Sequence, residues 1–197
     1  MNTMKLTNAV VLVIVCGTVI QAADPQFTAS GELVRPQNYR EWVFLSAGLG
    51  MTYSGAPRAA GSDPAFDNVF VEPSAYRKFV ETGKWPDKTI FVLEQRRAMN
   101  SGCLNNDGCR YQGEIAGVAA EVKDVARFKG EWAYFGFGPD VNTARALTEK
   151  ANCYTCHPAN GAVENTFVQF YPTLIEIARA KGTLKPSYLK SASANAH

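Results

Sequence analysis

The most constraining feature of this chain is a five-residue string in its last quarter, Cys153-Tyr154-Thr155-Cys156-His157. Two thiols three positions apart, followed at once by an imidazole, form the c-type haem attachment pattern. The spacing has a mechanical reason. Such thiols can add to the two vinyl groups of one porphyrin, and the adjacent imidazole then lies under the ring with a nitrogen toward the iron. The string therefore predicts one covalently attached haem c, held by Cys153 and Cys156, with His157 as an axial ligand. Two other uses of these residues remain open: a redox-active Cys-x-x-Cys and half of a zinc site. The latter would need further ligands from a chain with only two histidines.

The N-terminus bears on where such chemistry happens. Residues 1–8 are short and polar with one lysine, Lys5, and residues 9–20 are a nearly unbroken apolar run followed by Ala22-Ala23. That layout suits a cleaved secretory signal, and the apolar run is short for a membrane span; an uncleaved anchor is the competing reading. The expected organisation is a signal peptide over 1–23 and one haem domain over 24–197, located in the periplasm. No later stretch approaches a membrane-spanning length, so no membrane association is expected after cleavage. With 197 residues, the chain suits one well-buried domain rather than two. A net charge of +2 gives no reason to expect a nucleic-acid partner.

Export also changes how the other cysteines read. Cys103 and Cys109 bracket Leu-Asn-Asn-Asp-Gly, whose turn residues can bring two sulfurs together. In an oxidising compartment, a Cys103–Cys109 disulfide is the expectation, with two free thiols as the alternative.

Along the rest of the chain, Tyr39–Leu49 suits either helix or strand, and a glycine- and proline-rich loop follows to Pro64. Phe66–Glu72 and Thr89–Gln95 read as strands, separated by a helix that opens at Pro73-Ser74, presents Tyr76, Phe79 and Val80 on one face, and stops at Gly83. Glu114–Phe128 is ambiguous and Glu131–Phe137 is strand-like. Helix is expected over Asn142–Ala151 with Asn142 as cap, strand over Thr166–Tyr171, and a last helix from Thr173, with Glu176 completing a capping box, to Gly182. The pattern predicts an α+β domain: an antiparallel β-sheet with packed helices.

Absent residues limit the sixth coordination position. Besides His157, the only histidine is the terminal His197, and no methionine follows Met99. Met51 and Met99 both precede the haem string and read better as packing or surface residues. A five-coordinate iron with one open side is therefore expected, suited to a small-molecule ligand or substrate.

The chain resembles the cytochrome P-460 family, including its cytochrome c′-beta branch, over roughly residues 36–182. The resemblance is carried by Tyr39-Arg-Glu-Trp42, by Phe66-Asp-Asn-Val-Phe-Val-Glu-Pro73, by Gly83-Lys-Trp-Pro-Asp87 before the strand Thr89–Glu94, and by the haem string followed by Asn165-Thr-Phe-Val-Gln-Phe-Tyr-Pro172. It implies an antiparallel sheet with helices packed on it, a homodimer, and a single five-coordinate haem. Some members oxidise hydroxylamine with a haem cross-linked to a lysine; others lack that lysine, carry an apolar distal pocket, and bind nitric oxide. The cross-linking position falls near Leu93, where this strand has no lysine; Lys84 and Lys88 read as surface charges. Leu93 with Phe66 or Phe70 would then cap the distal side, and Glu94 is a candidate proton-handling carboxylate. Plain core packing and a solvent-facing strand residue are the respective alternatives.

Three functions fit these expectations: binding or converting nitric oxide or hydroxylamine, electron transfer to a redox partner protein, or gas binding and scavenging without turnover.

Overall fold

The computed structural model describes residues 24–51, 64–102, 109–138 and 140–194. The predicted signal segment, Cys103 and His197 lie outside them. Among the described residues the architecture is α+β: a five-stranded antiparallel sheet, a two-stranded sheet and four helices. The strands are β1 (Leu33–Val34), β2 (Val43–Leu49), β3 (Ala65–Val71), β4 (Ile90–Met99), β5 (Tyr111–Lys123), β6 (Trp132–Phe137) and β7 (Thr143–Ala144). The helices are α1 (Pro73–Thr82), α2 (Cys153–Asn160), α3 (Pro172–Ala180) and α4 (Pro186–Ala194). The large sheet runs β2-β3-β4-β5-β6, so chain neighbours are sheet neighbours, and β1 pairs with β7 beside it.

Because successive strand residues face opposite ways, the registers sort the sheet into two faces. Val69, Leu93 and Ala119 form one cross-strand row, and Phe91, Glu121 and Tyr134 another on the same face. Phe70, Val92, Ala120 and Phe135 share the reverse face. Each face has its own core. On the first, Val71 and Phe91 pack with Phe79 of α1, Trp85, Trp132, Val168, and Leu174 of α3. On the reverse, Ile90, Val92, Val122 and Phe135 pack under the N-terminal segment through Leu33, Tyr39 and Trp42. Phe79 is fully buried, and truncating such a phenylalanine to alanine costs about 3–5 kcal/mol.

Helix α1 shows how local sequence sets an element. Pro73 occupies its first position, and the Glu72 carboxylate accepts from the Ser74 and Ala75 backbone N–H groups at 2.8 and 3.1 Å. Gly83 ends it in the left-handed region at φ 73°, where a Cβ would be strained. Its inward face is Ala75 and Phe79, one turn apart, while Val80 is 38% exposed.

Several sequence expectations are corrected. Residues 142–151 form no helix: Thr143–Ala144 are strand β7, because Leu33–Val34 offers a pairing partner. Thr166–Tyr171 is no strand; Val168–Phe170 form a single 3-10 turn. Helix α3 starts on Pro172 without a side-chain cap, so the Thr173–Glu176 box does not form, and Glu176 instead pairs with Arg179. Of the ambiguous stretch, residues 114–123 belong to the 13-residue strand β5, and residues 124–128 form no strand. Helix α4 follows beyond Gly182, where the last helix was expected to end.

Candidate functional site

Helix α2 consists of the haem string and three further residues. It carries Cys153, Cys156 and His157 to a cleft over the first face of the sheet, and all three line it. The cleft has a volume of about 290 Å³. Its floor is Val69 of β3, Leu93 and Gln95 of β4, Ala119 of β5 and Gly136 of β6. Phe167, Tyr171, Leu147 and Asn152 also line the cleft. Most of this surface is apolar, and Ala119 and Gly136 put small residues on its floor. A Cβ added at Gly136 would meet nothing within 4 Å.

The imidazole of His157 is held from several directions. Its Nδ1 lies 2.9 Å from the Asn165 carbonyl oxygen. Its ring packs between Tyr134 and Phe167, with centroids 4.4 and 4.5 Å away. With Nδ1 engaged, Nε2 is the nitrogen left for a metal, which is how ligating histidines are generally oriented. The acceptor is itself anchored. Thr166 donates to the Val163 carbonyl at 2.8 Å and accepts from Trp85 Nε1 at 2.8 Å. Gly161 ends α2 against this loop: a Cβ there would come within 2.8 Å of Thr166 N and 2.9 Å of the His157 carbonyl oxygen. The string therefore needs this glycine four residues on, so that the loop can fold back beneath the histidine.

Two buried oxygens beside the imidazole, Glu121 Oε1 and Tyr134 Oη, have no hydrogen-bond partner among the described residues. Glu121 Oε1 is 3.4 Å from His157 Nδ1. Burial pushes the Glu121 carboxyl upward, partly offset by His157. Burial also raises the Tyr134 phenol.

The other residues singled out from the sequence are divided by the sheet. Leu93 lines the cleft. Glu94, its neighbour on β4, points through the reverse face, so the expectation of a proton-handling group at the haem is corrected. Its carboxylate accepts from Tyr39 Oη, from Arg96 Nε, and from Arg40 Nη2 at 2.6 Å. Burial works against its ionisation, but the hydrogen bonds from Arg96, Tyr39 and Arg40 prevail and hold it below the usual carboxylate range. Burial and Glu94 together push the Tyr39 phenol up to about 12. Phe70 is on that reverse face too, stacked edge-on with Tyr39 and Phe44, and Phe66 shares its side by alternation. Neither phenylalanine reaches the cleft, because residues 66 and 70 have the opposite parity to Val69. Met51 and Met99 are partly exposed beside Gly48 and Gly113 and do not line the cleft. Lys88 is paired with Asp124 at 2.5 Å and Lys84 is exposed. Cys109 is disulfide-bonded; its predicted partner, Cys103, lies outside the described residues.

Sequence reasoning assigned no role to Glu121, Tyr134, Ala119, Gly136 or Asn165. For the first four, the missing signal was strand parity. Until β5 and β6 are known to be strands in this register, nothing separates cleft-facing residues from the other face.

A largely apolar cleft, lined by two thiols and an imidazole with one nitrogen free, fits a haem, and the donor set is that of a cytochrome. The Cytochrome P460 family matches residues 36–168, and the chain belongs to that family of haem-binding cytochromes. No curated protein matches the chain.

Proposed function

We propose that this chain is an exported mono-haem c-type cytochrome whose haem is attached through Cys153 and Cys156, ligated by His157, and five-coordinate, and which binds small nitrogen species such as nitric oxide or hydroxylamine. One observation carries the reading: the two thiols and the imidazole face a cleft whose described lining contains neither a lysine nor a methionine. When bound, the haem supplies an iron centre with a coordination position open to a diatomic or similarly small ligand.

The chain's own residues set the surroundings. Val69, Leu93 and Ala119 present hydrocarbon and exclude water, which favours a weakly polar ligand over water or an anion. The Asn165 carbonyl fixes the His157 ring by accepting from Nδ1–H. Leu93, in place of a lysine, favours an unmodified macrocycle. The turn of Glu94 to the reverse face removes that carboxylate from the cleft, whose titratable lining beside His157 is Glu121 and Tyr134. A cleaved leader over residues 1–23 agrees with haem attachment outside the cytoplasm.

The test is the optical spectrum of the purified ferrous protein, alone and with carbon monoxide or nitric oxide. A high-spin spectrum that changes on adding either gas is expected. A sharp low-spin spectrum indifferent to carbon monoxide would overturn the open-site reading and make the protein an electron carrier.

A further inference from the structure

We infer that Glu121 is a positioning residue for the iron ligand: its carboxylate shares the Nδ1–H of His157 with the Asn165 carbonyl and strengthens Nε2 as a donor. The inference rests on the proposed ligation of iron by His157, and concerns what that ligand is made to do.

The placement is specific. Glu121 stands in the middle of β5, opposite Phe91 on one neighbouring strand and Tyr134 on the other. Mid-strand positions facing a core are ordinarily apolar, because burying a carboxylate without partners is strongly unfavourable. Here Oε1 is buried and lacks a hydrogen-bond partner among the described residues, yet it sits 3.4 Å from Nδ1. The nearby Glu164 is occupied by Lys123, at 2.7 Å, and that lysine also donates to the Trp85 carbonyl. The cation at this end of the sheet is therefore committed elsewhere, and the imidazole is the polar group that Glu121 Oε1 approaches.

A neutral imidazole has one N–H, and two acceptors converge on it. The Asn165 carbonyl at 2.9 Å holds the ring direction. A carboxylate is the stronger acceptor, and an acceptor at the outer nitrogen raises the basicity of the nitrogen bound to metal. A more basic ligand stabilises ferric over ferrous iron, so the carboxylate should lower the midpoint potential and stiffen the bond between iron and His157. The Asn165 carbonyl alone would orient the ring with a weaker electronic effect.

The test compares the wild-type holoprotein with Glu121→Gln, by resonance Raman of the ferrous form and by redox titration. The expected result is a downward shift of the iron–histidine stretch together with an upward shift of the midpoint potential. An unchanged stretch and potential would overturn the role of Glu121. Absence of any iron–histidine band from the wild type would instead overturn the five-coordinate, histidine-ligated iron on which the inference rests. If Glu121→Gln fails to retain haem, Glu121→Asp decides. Withdrawing the oxygen by one methylene should shift both readouts in the same directions, and unchanged values would overturn the inference.

Discussion

Trp85 Nε1 donates to Thr166 Oγ1 at 2.8 Å, with both residues buried, and this bond ties the aromatic core to the loop that orients His157. Trp85 stacks on Phe79 of α1 and meets Phe91 of β4 edge-on. The Asn165 carbonyl is therefore positioned by the hydrophobic core, through one residue. Thr166→Val keeps the volume but leaves the indole N–H buried without its acceptor. A loss of about 1–3 kcal/mol is expected, read as a lower urea midpoint, with a broadened iron–histidine band as the local signature.

Gly161 is required by contact rather than by torsion. A methyl group at this position would press on backbone atoms at 2.8–2.9 Å, and backbone cannot give way as a flexible side chain can. Gly161→Ala should destabilise the holoprotein by about 1–3 kcal/mol. Thermal unfolding checks this, and a variant as stable as wild type would mean the loop packs more loosely.

Gly136 tests the floor of the cleft. A Cβ added there meets no protein atom within 4 Å, so the backbone accepts a side chain at this position, and Gly136→Leu should fold while obstructing the macrocycle. The expected outcome is a several-fold lower ratio of Soret to protein absorbance, with a near-native circular dichroism spectrum. Full haem loading in this variant would place the macrocycle elsewhere.

Glu94 predicts a pH dependence of stability with a definite sign. Its folded pKa lies below the ordinary 4.5, so the folded state binds fewer protons than the unfolded state in the range between the two values. Its contribution is present above the unfolded pKa and is lost as pH falls through the folded one. Stability should therefore decline in acid below about pH 5, and Glu94→Gln should flatten that decline while lowering stability near neutrality. Removing one partner of a buried charge cluster costs about 3–5 kcal/mol, and the exposed Arg40 end places this case toward the lower figure. Urea unfolding at stepped pH values measures both effects.

The predicted Cys103–Cys109 bridge is checked by alkylation without reduction, which should leave both sulfurs unmodified.

How much of this was legible beforehand follows from the range of each signal. The haem string is local: its chemistry depends on three residues at fixed spacing, and no tertiary knowledge was needed to single out Cys153, Cys156 and His157. The strands Phe66–Glu72 and Thr89–Gln95 were legible from β-branched and aromatic runs, and α1 from its proline and glycine ends. Residues 142–151 were misread because helix propensity there is overridden by pairing with Leu33–Val34, a partner over a hundred residues away. The side of the sheet was also non-local. Phe66, Phe70 and Glu94 lie one parity step from Val69 and Leu93, and only the register shows which set meets α2. Glu121 lay inside a stretch readable as helix or strand, so its approach to His157 could not be seen.

The most direct measurement is mass spectrometry of the denatured, trypsin-digested holoprotein. One haem mass is expected on the peptide spanning residues 151–179, which contains Cys153, Cys156 and His157, with no second peptide joined to it. Haem released on denaturation, or a lysine-containing peptide linked to the same haem, would contradict the account.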